Sequence, residues 1–270
     1  MFTEVIYTCW NRFTLREFAS LELRECLLIM KIKFQHIRRL TNDAIEQYIL
    51  NNKSIQGSTV FQGTLYENVV MRELGQKLEM TSLERVGGAH DGGVDVTGEW
   101  NIAHIRSKMD KLLGAYPDHI PKTRSINGVR LSPVVNKLKQ GKEVLPFQTL
   151  IQCKAFTSSK IAPKELRELV GTFSSRVPHK ERDKTIMFMC SPHVLTADGV
   201  KLMNELRLPL IYLQISLLRF LTDNDQLDLD NSGHILSYYE NDYAMKFLEG
   251  CRVPEWLKLR AYRHDQTPRD

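Results

Sequence analysis

Apolar residues along this chain alternate between two spacings, and each change of spacing marks a new element. Over residues 64–80, Val70, Met71, Leu74 and Leu78 recur at helical intervals and predict a helix with one apolar face. A glycine-rich loop over 87–93 then leads into 94–97, where Val94 and Val96 alternate with Asp95 as in a half-buried strand. Residues 147–156 read as a short strand containing Leu150 and Ile151. Pro163 can open the next helix as its first residue, with Leu166, Leu169, Val170 and Phe173 as the buried stripe. Apolar runs at 185–190 and 209–214 have strand length, and Thr196 can cap a helix between them that carries Val200, Met203 and Leu206. Residues 215–262 read as helical, with Trp256 and Leu257 as packing residues. Apolar strands separated by helices predict an α/β fold: a mixed sheet covered by helices on both faces, followed by C-terminal helices.

Composition narrows the picture without changing it. At 270 residues and 42% hydrophobic, the chain can bury a full core. No stretch approaches the roughly 20 apolar residues that a membrane helix needs. The five cysteines (Cys9, Cys26, Cys153, Cys190 and Cys251) are scattered, odd in number and free of any Cys-x-x-Cys pair. That argues against a disulfide framework or a zinc site and for a reducing compartment.

Charge is unevenly placed. The net charge is +5, yet residues 101–147 alone hold nine Lys and Arg against three acids. This segment lies between the strands at 94–97 and 147–156 and reads as a basic insertion. As a clamp over a phosphate backbone it would act through Lys137, Lys139 and Lys142. As an ordinary solvated loop it would do nothing of the kind.

A few polar residues interrupt the apolar pattern where chemistry could sit. Glu67 falls on the apolar stripe of its helix, where a carboxylate is costly unless paired, protonated or near a metal. A helix-start Glu favoured by the dipole is the plainer reading. Asp95 follows Gly92 and Gly93, which leave room for backbone or ligand to approach. Gln152 and Lys154 are two apart and share one face of their strand, with Cys153 on the opposite, core face. His90 reads as polar loop surface. A carboxylate, a carbonyl oxygen and an ammonium on neighbouring strands can hold a divalent cation and aim a water at a phosphodiester. The metal set would be Asp95, the Gln152 side-chain oxygen and the Cys153 backbone carbonyl, for Mg²⁺ or Mn²⁺. Lys154 would orient the water or stabilise the developing charge. Glu67 would reach the metal through water or hold Lys154.

These three segments, Glu67, Asp91-Gly-Gly-Val-Asp95 and Gln152-Cys-Lys154, resemble the Mrr-like branch of the restriction-endonuclease-like superfamily, written PD-(D/E)XK. The resemblance implies the superfamily's fold and a Mg²⁺-dependent nuclease with Glu67, Asp95, Gln152 and Lys154 as the catalytic set. Two departures stand out. No Pro precedes Asp95, and Gln152 takes the place of the second acid, which removes one negative charge and should weaken metal binding. The competing expectation is a nuclease fold that binds nucleic acid or a protein partner without cutting. DNA is the expected partner, RNA is left open, and a homodimer is compatible with either reading.

From Ser58 to Lys258 the chain also resembles a family of fungal mitochondrial proteins required for respiratory growth. Ser58-Thr-Val-Phe-Gln-Gly63, Arg167-Glu-Leu-Val-Gly-Thr-Phe173, Met189-Cys-Ser-Pro-His193 and Glu255-Trp-Leu-Lys258 carry that likeness alongside the three segments above. It implies a mitochondrial location and a role in maintaining the mitochondrial genome. The domain organisation expected is an N-terminal extension over 1–57, the main domain over 58–262 and a tail over 263–270. Glu4, Glu17, Glu22 and Glu25 suit a mitochondrial presequence badly, whereas no acid falls between Met30 and Asp43. The targeting segment is therefore expected from about residue 30, with Met30 as an alternative start.

Overall fold

A computed structural model describes residues 42–86, 93–116, 119–139, 146–221 and 227–262. The expected targeting segment, the tail over 263–270, His90 and Lys142 lie outside these residues, as does the side chain of Lys139. Helix α1 covers 42–51, and α2 spans Thr59–Lys77. Then follow β1 (Thr81–Arg85), β2 (Val96–Trp100), α3 (Ile102–Leu113), the hairpin β3 (Arg124–Ile126) and β4 (Val129–Leu131), and α4 (Val134–Lys139). The second half contains β5 (Phe147–Cys153), α5 (Pro163–Arg176), β6 (Thr185–Ser191), α6 (Ala197–Glu205), β7 (Leu210–Ile215), β8 (Ile235–Glu240), α7 (Asp242–Phe247) and α8 (Val253–Tyr262). No helix among the described residues is long and apolar enough to cross a membrane.

The main sheet has six strands in the order β1-β2-β5-β6-β7-β8. Strands β1, β2 and β5 form an antiparallel meander, β5, β6 and β7 run parallel, and β8 closes the far edge antiparallel to β7. Parallel neighbours need crossovers, and α5 and α6 supply them. The central strand β6 is buried at every position, which is why it reads as one continuous apolar run. Its Met187 and Met189 join Leu150, Leu166, Leu169, Phe173 and Met203 in the core beneath α5 and α6. Phe188 instead meets the ring of Trp100 edge-on at 5.5 Å. The Trp100 indole donates to the Leu78 carbonyl at 2.9 Å, and the Trp256 indole to the Lys77 carbonyl at 2.8 Å. Two buried indoles thus satisfy carbonyls at the C-terminal end of α2.

The mixed, helix-covered sheet is as expected, but three details differ. Helix α2 begins five residues earlier than the apolar stripe suggests, because the Ser58 hydroxyl accepts from the Phe61 N–H at 3.1 Å and caps it there. Glu67 therefore sits in the middle of the helix, and the helix-start explanation for it is gone. Residues 235–240 form strand β8 rather than helix. Nearly every position of this edge strand is half-buried, so no alternation marks it. The third difference concerns the basic insertion. Register pairs Val96 with Ile151 and Trp100 with Phe147, so the insertion leaves and re-enters at the end of the sheet away from Asp95 and Cys153. About five strand residues, roughly 16 Å, separate the two ends.

The insertion is also built into the fold rather than held out as a loop. Ile102, Ile105, Met109, Ile120, Val134 and Val135 are buried. Several of its cations are matched by acids elsewhere: Lys108 by Glu79 at 2.7 Å, Arg124 by Glu249 at 2.5 Å, and Lys137 by Asp183 at 4.0 Å. At the other end of the molecule, α2 grips the segment before β8. Arg72 donates to the carbonyls of Leu229, Ser232 and Gly233 at 2.7 to 2.9 Å and to the Asn42 side chain at 3.2 Å. Glu73, fully buried, accepts from the Ile235 N–H at 3.1 Å and pairs with the His234 ring at the same distance. Burial alone would raise the Glu73 carboxyl above the ordinary carboxylate range, but the His234 hydrogen bond and the charge of Arg72 outweigh it and hold it below.

Candidate functional site

The site assembles at the C-terminal end of β5, next to the loop that enters β2. Gly93 has φ +83, a left-handed conformation that other residues adopt only at a cost. The chain then straightens, and Asp95 is fixed three ways. Its N–H donates to Ile151 at 3.0 Å, its carbonyl accepts from Val86 at 2.9 Å, and its Oδ2 accepts from the Cys153 N–H at 2.6 Å. The backbone of β5 thereby holds the carboxylate that is expected to bind metal.

Gln152 and Lys154 both reach toward α5, as their shared parity requires. Gln152 is buried, with 4% of its surface exposed. Its Oε1 has no hydrogen-bond partner among the described residues. The Gln152 Nε2 lies 3.6 Å from where a Cβ on Gly93 would sit, and Thr172 Oγ1 of α5 lies 2.8 Å from that same point. Loop, strand and helix therefore meet at Gly93 with no space for a methyl group. One turn before Thr172, Glu168 accepts from the Lys154 ammonium at 3.2 Å. The Lys154 N–H donates to the Cys190 carbonyl at 2.8 Å and anchors the base of that side chain to β6.

Cys153 faces the other way, as expected, toward the layer that contains α2. A hydrogen bond with the Cys190 thiol raises its pKa most, burial adds to this, and the charges of Cys190, Asp95 and Glu67 add the rest. The thiol is a structural group rather than a nucleophile. Both carboxylates are thus near enough to the end of β5 to act on this thiol. Glu67 is not joined to Lys154. Its Oε2 accepts from Arg85 of β1 at 2.7 Å, and Arg85 also donates to Thr64 at 3.1 Å.

The structure thus gathers Asp95, Gln152, Cys153 and Lys154 at one strand end, with Glu67 across from them on α2. Of the insertion lysines, the described Lys137 is not brought there: it lies toward the start of β6 beside Asp183. Sequence reasoning missed Arg85, Glu168 and Thr172. For Glu168 and Thr172 a signal existed, since residues four apart on a helix share a face and these flank the α5 stripe. For Arg85, on an edge strand, nothing local pointed to Glu67.

The family model for "Required for respiratory growth protein 7" matches residues 58–248, which span α2 and the whole six-stranded sheet. The chain belongs to this family. A Zygosaccharomyces rouxii member, named "Required for respiratory growth protein 7, mitochondrial", is 48% identical over 227 residues, 84% of this chain and 92% of its own length. The Saccharomyces cerevisiae member of the same name is 48% identical over 229 residues, with 84% and 94% covered. The Kluyveromyces lactis member is 40% identical over 220 residues, with 82% and 92% covered. No solved structure matches the chain. It is a mitochondrial protein required for respiratory growth. All the candidate site residues fall inside the matched region.

Proposed function

We propose that this respiratory-growth protein is a metal-dependent nuclease of the restriction-endonuclease-like superfamily, acting on DNA in the maintenance of the mitochondrial genome. One observation carries the reading. A buried Gln152 oxygen without a hydrogen-bond partner among the described residues stands beside a backbone-fixed Asp95 and a tethered Lys154. Buried polar atoms are almost always satisfied, so an orphan at this position suggests a ligand.

The donor set fits a hard cation. The Asp95 carboxylate, the Gln152 Oε1 and the Cys153 carbonyl are all oxygens, suited to Mg²⁺ or Mn²⁺ rather than to zinc. Among the described residues no three His, Cys, Asp or Glu side chains converge as a metal cluster. With one carboxylate and two neutral oxygens as donors, binding should be weak. When bound, the cation would polarise the scissile phosphodiester and acidify an attacking water. The protein's own share is positional. Asp95 is aimed by the Cys153 N–H, while the Lys154 ammonium can donate to the water or to phosphoryl oxygens as charge builds. Glu67, oriented by Arg85, would contribute through a water on the α2 side.

The lone acid at the strand end favours one alternative: a nuclease fold kept for binding nucleic acid or a protein partner without cutting. A single experiment separates the two. Purified protein is incubated with supercoiled and branched DNA in Mg²⁺ or Mn²⁺ beside Asp95→Ala and Lys154→Ala. Metal-dependent cutting lost in both variants supports the nuclease. DNA binding without cutting in all three leaves the binding module.

A further inference from the structure

We infer that Glu168 is a positioning residue for Lys154. This rests on the nuclease reading and adds a residue to it. A lysine side chain is a flexible stem whose ammonium samples many places unless something confines it. Lys154 is fixed at its base, where its N–H meets the Cys190 carbonyl at 2.8 Å, and at its tip, where Nζ meets Glu168 at 3.2 Å. Of the site carboxylates, Asp95 is engaged by the Cys153 N–H and Glu67 by Arg85, so α5 supplies the counter-charge.

The surroundings of Glu168 make it suited to the task. It sits one turn before Thr172, the residue against which Gly93 and Gln152 close. The same face of α5 thereby sets the position of the loop that carries Asp95 and of the ammonium that serves it. Gln152 contributes no charge, so the carboxylate that balances Lys154 comes from the helix and not from the strand. Glu168 is also approached by Lys164 at 3.9 Å, one turn before it, and its side chain is 42% exposed. An ion pair this open adds little to folding stability. Its effect is geometric, on where the Lys154 charge rests before DNA arrives.

The test compares wild type, Glu168→Gln, Glu168→Asp and Lys154→Ala. The readouts are cleavage of a branched DNA in Mn²⁺, binding of the same DNA in Ca²⁺, and thermal unfolding. The expected result is a kcat about tenfold lower in Glu168→Gln, the loss that a small misplacement of a reacting group produces. KM, DNA binding and Tm stay at their wild-type values, and Glu168→Asp recovers part of the rate. Equal kcat in wild type and Glu168→Gln overturns the inference while leaving the nuclease intact. So does a Glu168→Gln loss of rate matched by a fall in Tm or in DNA binding, or one that Glu168→Asp does not relieve at all. A wild type that does not cut removes the nuclease reading and this role together.

Discussion

Gly93→Ala tests whether the site is as tightly closed as its geometry indicates. Two separate penalties follow from the structure. An L-residue held near φ +83 is strained by about 1–2 kcal/mol. The added methyl would lie 2.8 Å from Thr172 Oγ1, closer than any ordinary contact, and relief by overpacking costs about 1–3 kcal/mol more. A total destabilisation of about 2–5 kcal/mol is expected. The steric part belongs to Thr172, since the next atom, Gln152 Nε2, stands at a comfortable 3.6 Å. Thr172→Ala should therefore rescue Gly93→Ala by about 1–3 kcal/mol beyond additivity, whatever Thr172→Ala costs alone. Urea unfolding of the four proteins measures this coupling directly. Cleavage assays on the folded fraction should show Gly93→Ala losing activity and the double variant regaining it, because Asp95 follows two residues later. A coupling below about 0.5 kcal/mol, with Gly93→Ala near wild-type stability, would refute the close approach of loop and helix.

Four further outcomes can be checked. Gln152→Glu should tighten Mn²⁺ binding, read by calorimetry, while costing about 1–3 kcal/mol of stability without metal, because a charge replaces a buried amide. Arg72→Ala should cost about 3–5 kcal/mol in urea unfolding, since it removes the cation paired with a fully buried Glu73 and the donor to three carbonyls. Burial first, then the nearby Glu255 charge, raises Glu240 from its ordinary 4.5 to about 7, although its Tyr238 hydrogen bond pulls the other way. The folded state thus holds a proton the unfolded chain releases, a contribution full below pH 4.5 and lost as pH rises through about 7. Partial exposure limits this to about 2–3 kcal/mol. Glu240→Gln should remove that slope from a pH series of urea melts. Finally, replacing Lys137, Lys139 and Lys142 by Ala should flatten the salt dependence of DNA binding by up to about 2.7 in log–log slope, with kcat for bound DNA unchanged. An unchanged slope would take these lysines off the binding face.

How much of this was legible beforehand depended on where the information lay. The β5 site residues were readable because strand parity alone puts Gln152 and Lys154 on one face and Cys153 on the other. The parallel core strands were readable because burial on both faces leaves an unbroken apolar run, as in Met187-Phe-Met-Cys190. Strand β8 was not, because nearly all of its positions are buried to a similar, intermediate degree and no alternation marks it. The partners of Glu67 and Lys154 were also hidden, since Arg85 and Glu168 are brought to them by tertiary packing. Where the insertion leaves the sheet was hidden for a topological reason. Charge can be counted along a chain, but the end of the sheet at which a loop emerges depends on strand register, which composition does not encode.

The clasp that α2 makes on the segment before β8 also has a consequence in time. Arg72 and Glu73 bind backbone groups 157 to 162 residues further along the chain. A chain that emerges from its N-terminus produces this helix early, with two ionic side chains that have nowhere buried to go. Until residues 229–235 follow, docking α2 would bury the Arg72–Glu73 pair without these backbone partners, at a cost. A chain cut short before β8 would contain every candidate residue and yet lack the segment that anchors α2, the helix that carries Glu67.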